Sequence, residues 1–142
     1  MDRQALLNNF VERVNGKGRS IKSHSHSVCK YVKEEHPGCA IGCQPLMAPF
    51  VDEMKEADEA EKGKFFEDSG IRSLIEMHPQ VAIALGVGEG GIDPEFDMDF
   101  LVDLQSLHDT QSNWYNNTLY KSEVESFCRT YELELPNSEY AI

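Results

Sequence analysis

The sequence lacks the features that mark several large classes of protein. No stretch reaches the roughly 18 consecutive apolar residues that a membrane span needs, and the opening Met1-Asp2-Arg3-Gln4 lacks the basic-then-apolar order of a secretory signal. Basic residues are scarce, with 13 Lys and Arg against 25 Asp and Glu. Binding to nucleic acid phosphates depends on Lys and Arg displacing counterions, so a chain of pI near 4.7 is not expected to bind nucleic acid directly. We therefore expect a cytoplasmic protein that binds neither membrane nor nucleic acid.

What the sequence does have is enough apolar material for one core and an uneven distribution of charge. Its 142 residues, 40% of them hydrophobic, fit a single domain over residues 1–142. Residues 1–35 carry seven Lys or Arg and four acids, whereas the remaining 107 residues carry a net charge of −15. This polarity favours an acidic face offered to a basic partner, or self-association of the basic end with an acidic patch. Solubility alone is the simpler alternative.

The hydrophobic pattern predicts an α+β fold, with a small β-hairpin or three-stranded sheet packed against about four to five helices. Apolar residues recur at the three-and-four spacing of a helix face in residues 3–15, 71–78, 97–108 and 122–132. The apolar segments 27–32 and 39–43 flank a Pro-Gly turn and predict the hairpin. Residues 16–27 are predicted to be an exposed connector and residues 136–142 a frayed tail.

Metal-capable residues are densest around the predicted hairpin. Zinc takes four thiolate or imidazole ligands, and Cys29, His36, Cys39 and Cys43 are the candidates. In a regular strand, however, Cys39 and Cys43 would stand about 13 Å apart, so a turn at Gly42 would be required. The alternative, which we favour, is that the cysteines are reduced, buried apolar residues and that no cofactor is bound.

Two further sequence patterns suggest a catalytic or a ligand-binding site. Cys39 could act as a nucleophile with His108 as base and Asp109 as its orienting group, although adjacent side chains on one helix point about 100° apart. His108 closing the end of its helix is the simpler interpretation. The run from Gly86 to Gly91 matches G-x-G-x-x-G, but acidic residues surround it where a phosphate would sit, so a flexible loop is the better prediction.

Two motifs carry a resemblance. In both motifs the sequence resembles a group of small uncharacterised phage and bacterial proteins. The first motif is Cys29-x-Tyr31 with Cys39-Ala40-Ile41-Gly42-Cys43, and the second, later in the chain, is Leu104-Gln105-Ser106-Leu107-His108-Asp109. That group has a C-x-Y…C-A-[IV]-G-C hairpin and an L-Q-x-[LI]-H-D helix, and it has no established activity. The resemblance implies a phage accessory protein that acts in a bacterial cytoplasm by binding and inhibiting a host protein.

The leading hypothesis is a non-catalytic protein that offers an acidic surface to a basic host protein of the nucleic-acid-handling or defence machinery. The residues predicted to bind the partner are the acids of two segments: Asp52, Glu53, Glu56, Asp58, Glu59, Asp93, Glu95, Asp97 and Asp99. A small zinc-binding or cysteine-dependent enzyme and an oligomeric protein that sequesters a small molecule are the alternatives.

Overall fold

The computed structural model describes residues 1–20, 36–50, 52 and 71–142. In these residues a mostly helical chain carries one small antiparallel sheet, which confirms the α+β class. The α-helices are α1 (Arg3–Val14), α2 (Ile71–Met77), α3 (Pro79–Leu85), α4 (Pro94–Asp109) and α5 (Lys121–Tyr131). The strands are β1 (Trp114–Tyr115) and β2 (Thr118–Leu119), and short 3-10 helices cover Pro45–Phe50, Glu89–Gly91 and Gln111–Asn113. No helix in the described ranges is both long and apolar enough to cross a membrane.

Helix α1 forms where the sequence predicts it. The Asp2 carboxylate caps its amino end by accepting the N–H of Ala5 at 3.0 Å, which satisfies one of the donors left open in a first turn. Asn15 leaves the helix with ψ 131°, and Gly16 follows at φ 92°. The apolar face is fully buried and consists of Leu6, Leu7, Phe10, Val11 and Val14. Each such side chain contributes about 1.5–3 kcal/mol by leaving water.

Helix α4 begins three residues before the predicted start at residue 97. Pro94 occupies the first turn, where its missing N–H costs nothing, and the Asp93 carboxylate accepts the N–H of Glu95 at 3.0 Å. Its inner face packs Phe100 and Leu104 into the core, and Phe100 meets the ring of Tyr131 edge to face at 5.0 Å. Helix α4 thus packs against both α2 and α5.

The hairpin lies elsewhere than predicted. Cys39 to Gln44 form a turn instead of a strand, and the other predicted strand, 27–32, lies outside the described residues. The turn is stabilised by Gln44, whose side-chain amide donates to the carbonyls of Ala40 and Leu6 at 2.8 Å each. The sheet that is present joins β1 to β2 through Asn116 and Asn117, both at positive φ. Two such residues form the primed turn that matches the twist of paired strands.

Two other segments differ from expectation. Of the predicted connector 16–27, only residues 16–20 are described, and Gly18 and Ser20 are buried. The tail 136–142 is held rather than frayed: the N–H of Ala141 donates to the carbonyl of Leu119 at 2.9 Å, and the Tyr140 hydroxyl donates to the carbonyl of Pro136 at 2.6 Å. The apolar run in Val81–Leu85, which is too short to be assigned from its periodicity, belongs to α3.

Candidate functional site

The exposed face of α4 and its entry carries a stripe of alternating apolar and acidic side chains. We call this the α4 stripe: Ile92, Glu95, Phe96, Asp99 and Asp103. Glu95, Phe96, Asp99 and Asp103 are three or four residues apart, which places them on one side of the helix, and Ile92 stands in extended backbone just before the helix cap Asp93. Ile92 is 45% exposed and Phe96 is 64% exposed. Two large apolar side chains therefore stand in water among three carboxylates.

Part of the charge on the stripe is neutralised within the chain. The Arg72 guanidinium, on α2, donates to Glu95 at 3.0 Å and to Asp99 at 2.8 Å. The hydrogen bond to Glu95 and the negative charge of Glu95, with a smaller effect of Asp99, raise the pKa of Arg72. All three side chains are well exposed, so the pairs contribute little to stability and can exchange for contacts with another basic group.

Asp97 was expected on the acidic surface, and the structure corrects that expectation. Its side chain is only 1% exposed. One carboxylate oxygen accepts the Arg3 guanidinium at 3.1 Å, and the other accepts the N–H of Gly88 at 2.8 Å. The helix turns residue 97 towards the core while it turns residues 95 and 99 towards solvent, so Asp97 holds the fold together and is not available to a partner.

The stripe borders a groove between α4 and α5. This groove has a volume of about 490 Å³, and its lining includes Phe96, Val102, Arg129 and Tyr131. The Tyr131 hydroxyl donates to the carboxylate of Asp103. Burial and this hydrogen bond raise the pKa of Tyr131. Asp103 therefore has a fixed position at the edge of the groove.

The other acids predicted to bind a partner divide into two groups. Asp93 is exposed at the start of α4, where it also caps the helix, and Asp52 is exposed. Glu53, Glu56, Asp58 and Glu59 lie outside the described residues. Among the described residues, the two predicted acidic segments place Asp93, Glu95, Asp99 and Asp52 in exposed positions.

The candidate zinc ligands that the structure describes are used in local hydrogen bonds. The Nε2–H of His36 donates to the carbonyl of Gly18 at 2.8 Å, and its Nδ1 accepts the N–H of Gly38 at 3.0 Å. The Cys39 sulfur accepts the N–H of Gly42 at 3.3 Å, and the Cys43 thiol donates to a backbone carbonyl. Cys29 lies outside the described residues. Among the residues described, no three His, Cys, Asp or Glu side chains group to hold a metal ion.

A buried polar cluster occupies the carboxyl end of α4. His108 is fully buried, with Nδ1 at 2.7 Å from the Asp109 carboxylate and Nε2 at 2.9 Å from the backbone nitrogen of Ser20. A backbone N–H can only donate, so Nε2 carries no proton and Nδ1 donates to Asp109. The adjacent pair does form, contrary to the expectation from the 100° helix rotation. Gln105 adds a hydrogen bond to the same carboxylate at 3.1 Å.

This cluster is not arranged as a cysteine nucleophile with its base. Burial raises the pKa of Cys39 to about 12, and the nearby charge of Asp109 adds to that increase. Both ring nitrogens of His108 are occupied, so the imidazole has no free lone pair to take a proton from the thiol. The structure brings Cys39, His108 and Asp109 into one region, but the imidazole serves to bind the backbone N–H of Ser20 to α4.

The sequence reasoning missed the two apolar members of the stripe. Phe96 falls in the first turn of α4 only if the helix starts at Pro94, and Asp93-Pro94 was the signal for that start. Ile92 precedes the helix in extended backbone, so helical spacing does not place it, and its exposure is evident only in the structure. With the start of α4 at Pro94, the apolar residues of this helix divide into one set that faces the core and one set that faces solvent.

Comparisons with models of protein families, with curated proteins and with solved structures find no match to this chain. The site is therefore interpreted from its own geometry.

Proposed function

We propose that this chain is a small acidic interaction protein whose α4 stripe binds, and thereby blocks, a protein with a basic surface. The observation that carries the proposal is Phe96, which is 64% exposed on a helix face lined by carboxylates. Aromatic side chains are enriched in protein–protein interfaces, and this ring also borders the groove between α4 and α5. The mode of action is occupation of a surface and involves no catalysis.

The two kinds of side chain in the stripe have different roles in binding. Glu95, Asp99 and Asp103 attract a basic surface over a distance of about 10 Å at 0.1 M salt, which raises the association rate. Phe96 supplies contact area that leaves water once the complex forms, and it borders a groove that can accept a side chain of the partner. Such a surface selects a partner that combines Lys or Arg with an apolar group.

The resemblance to small phage proteins suggests which basic partner to test. A host enzyme of nucleic acid metabolism or defence has a groove that accepts phosphates, and carboxylates on a rigid helix can occupy the same positions. We therefore propose host nucleic-acid-handling or defence machinery as the target.

The experiment is quantitative capture from bacterial lysate at low salt, with matched variants. Phe96→Ala removes the exposed ring, and Ile83→Ala is its control, because Ile83 is 76% exposed on α3. Glu95→Gln with Asp99→Asn removes two charges from the stripe, and a pair of exposed acids elsewhere, Glu12→Gln with Glu123→Gln, makes the same change in net charge.

We expect one specific protein to be retained by the wild type and by both control variants. Phe96→Ala should reduce its affinity about tenfold or more at any salt concentration, as for an anchoring residue at the centre of an interface. The Glu95 and Asp99 double variant should lose affinity mainly at low salt. Equal retention by stripe variants and their controls, or no retained protein at all, would refute the proposal.

A further inference from the structure

The Asn15-Gly16 dipeptide, which ends α1, carries a known chemical reactivity. In such a pair the backbone nitrogen of the glycine can attack Cγ of the asparagine, since no Cβ of the second residue obstructs the approach. The new N–C bond forms as the Cγ–Nδ2 bond breaks, and ammonia leaves with the proton of the backbone nitrogen. Solvent water then opens the resulting succinimide to aspartate or isoaspartate.

The fold holds every reacting group away from this path. The Asn15 Nδ2 donates to the Ser138 hydroxyl at 2.7 Å and to the carbonyl of Glu139 at 3.0 Å, and its Oδ1 accepts the N–H of Leu119 at 2.8 Å. The attacking nitrogen, that of Gly16, donates its own proton to the carbonyl of Asn117 at 2.9 Å. Ring closure would require the side-chain amide to turn back towards its own main chain, and that movement breaks all four hydrogen bonds.

We infer that Asn15 is a latent deamidation site which the docked tail protects, and whose reaction releases the tail. In the aspartate product an oxygen replaces Nδ2 and faces the carbonyl oxygen of Glu139, so two acceptors meet where a hydrogen bond had been. The isoaspartate product also lengthens the main chain by one carbon just before Gly16, which displaces the N–H that reaches Asn117. The modified chain therefore cannot restore the contacts that had protected it.

The tail provides an internal comparator for a test. Asn137 is exposed and is followed by Ser138, a pair that deamidates more slowly than Asn-Gly in an unstructured chain. The intact protein is incubated in mildly alkaline buffer, folded and in urea, and both sites are followed by peptide mass spectrometry. We expect Asn15 to react first in urea and Asn137 to react first in the folded protein. If Asn15 reacts in the folded protein as fast as it does in urea, protection by the fold is refuted.

Two variants separate protection from release. Tyr140→Phe removes the hydroxyl that binds the carbonyl of Pro136 and should speed the reaction at Asn15 several-fold, whereas Tyr115→Phe, at an exposed ring, should not. Asn15→Asp mimics one product and should increase hydrogen exchange at the Ala141 amide about tenfold, the effect of losing one hydrogen bond. Asn137→Asp is its control. Unchanged exchange in Asn15→Asp would refute release of the tail.

Discussion

Replacing Asp97 should be the most destabilising single change among the described acidic residues of α4, although the sequence places it in an acidic run. Its carboxylate is 1% exposed and joins the Arg3 guanidinium to the N–H of Gly88. In Asp97→Ala, both donors lose their acceptor, and both are partly buried. Arg3 also lies over the rings of Phe100 and Tyr131, at 5.6 and 5.9 Å from their centroids, so it cannot leave without losing those contacts.

The magnitude follows from the degree of burial. Breaking one side of a buried pair costs about 3–5 kcal/mol, and the lower end applies here because the Arg3 side chain is 28% exposed and can recruit water. We therefore expect Asp97→Ala to lower the free energy of unfolding by about 3 kcal/mol. Asp97→Asn keeps one acceptor oxygen and should cost about 1–2 kcal/mol. A domain of this kind is stable by only about 5–15 kcal/mol in total, so the loss is substantial.

Urea unfolding measures this loss directly. With an m value of about 2 kcal/mol per molar, the midpoint of Asp97→Ala should fall by about 1.5 M. Asp99→Ala is the control: it removes an acid two residues away whose side chain is 63% exposed, and it should change stability by less than about 0.5 kcal/mol. A double-mutant cycle with Arg3→Met isolates the coupling between the two partners. Equal stability of Asp97→Ala and Asp99→Ala would refute a structural role for the buried carboxylate.

Two further predictions concern titration. Burial raises the pKa of both Cys39 and Cys43 to about 12, so these thiols should resist a thiol reagent at neutral pH until denaturant is added; rapid labelling of either of these two cysteines in the folded protein, located by peptide mass spectrometry, would contradict their burial. Burial also raises the pKa of Tyr140 to about 12, against about 10 in the unfolded chain, so the unfolded state loses its proton first as pH rises and stability should fall between about pH 10 and 12. Tyr140→Phe should show a shallower loss over that range, and an unchanged alkaline slope would refute the assignment.

Helices were predictable from this sequence because their signals are local. The apolar face and the stop at Asn15-Gly16 define α1, and the predicted segment 71–78 became Ile71–Met77. The hairpin was misplaced because Cys39-Ala40-Ile41-Gly42-Cys43 is apolar, short and flanked by turn residues, as a buried strand would be. The shape of this segment is decided by a tertiary contact, in which the Gln44 side-chain amide donates to the carbonyl of Leu6 on α1. The sheet that is present had a local signal in the Asn116-Asn117 pair, which the sequence reasoning did not use.

The candidate site was predictable only in part, because the identity of an acidic residue does not show whether its carboxylate faces water or the core. The run from Asp93 to Asp99 was correctly recognised as a concentration of acids. Whether each of these acids is available to a partner depends on which side of α4 it faces and on the position of Arg3, which is more than ninety residues away in the chain. The direction in which each side chain of α4 points can be predicted only if the start of the helix is known. An ion pair between residues that are far apart in the chain produces no local sequence pattern.

The distribution of these contacts changes what the charge of −12 can do at the site. Glu95 and Asp99 share one cation, Arg72, and Asp103 accepts only the neutral Tyr131 hydroxyl, so the α4 stripe keeps a net negative charge, while Asp97, outside the stripe, is turned inward and paired with Arg3. A partner must compete with Arg72 before it gains a full ion pair, and that competition costs little because the existing pairs are exposed. The electrostatic part of binding is thus modest and sensitive to salt, whereas within the described part of the chain the ring of Phe96 is 64% exposed and has no such competitor. Selectivity for one basic protein among the many in a cell therefore depends on the apolar anchor, and the charge chiefly sets how fast that partner is met.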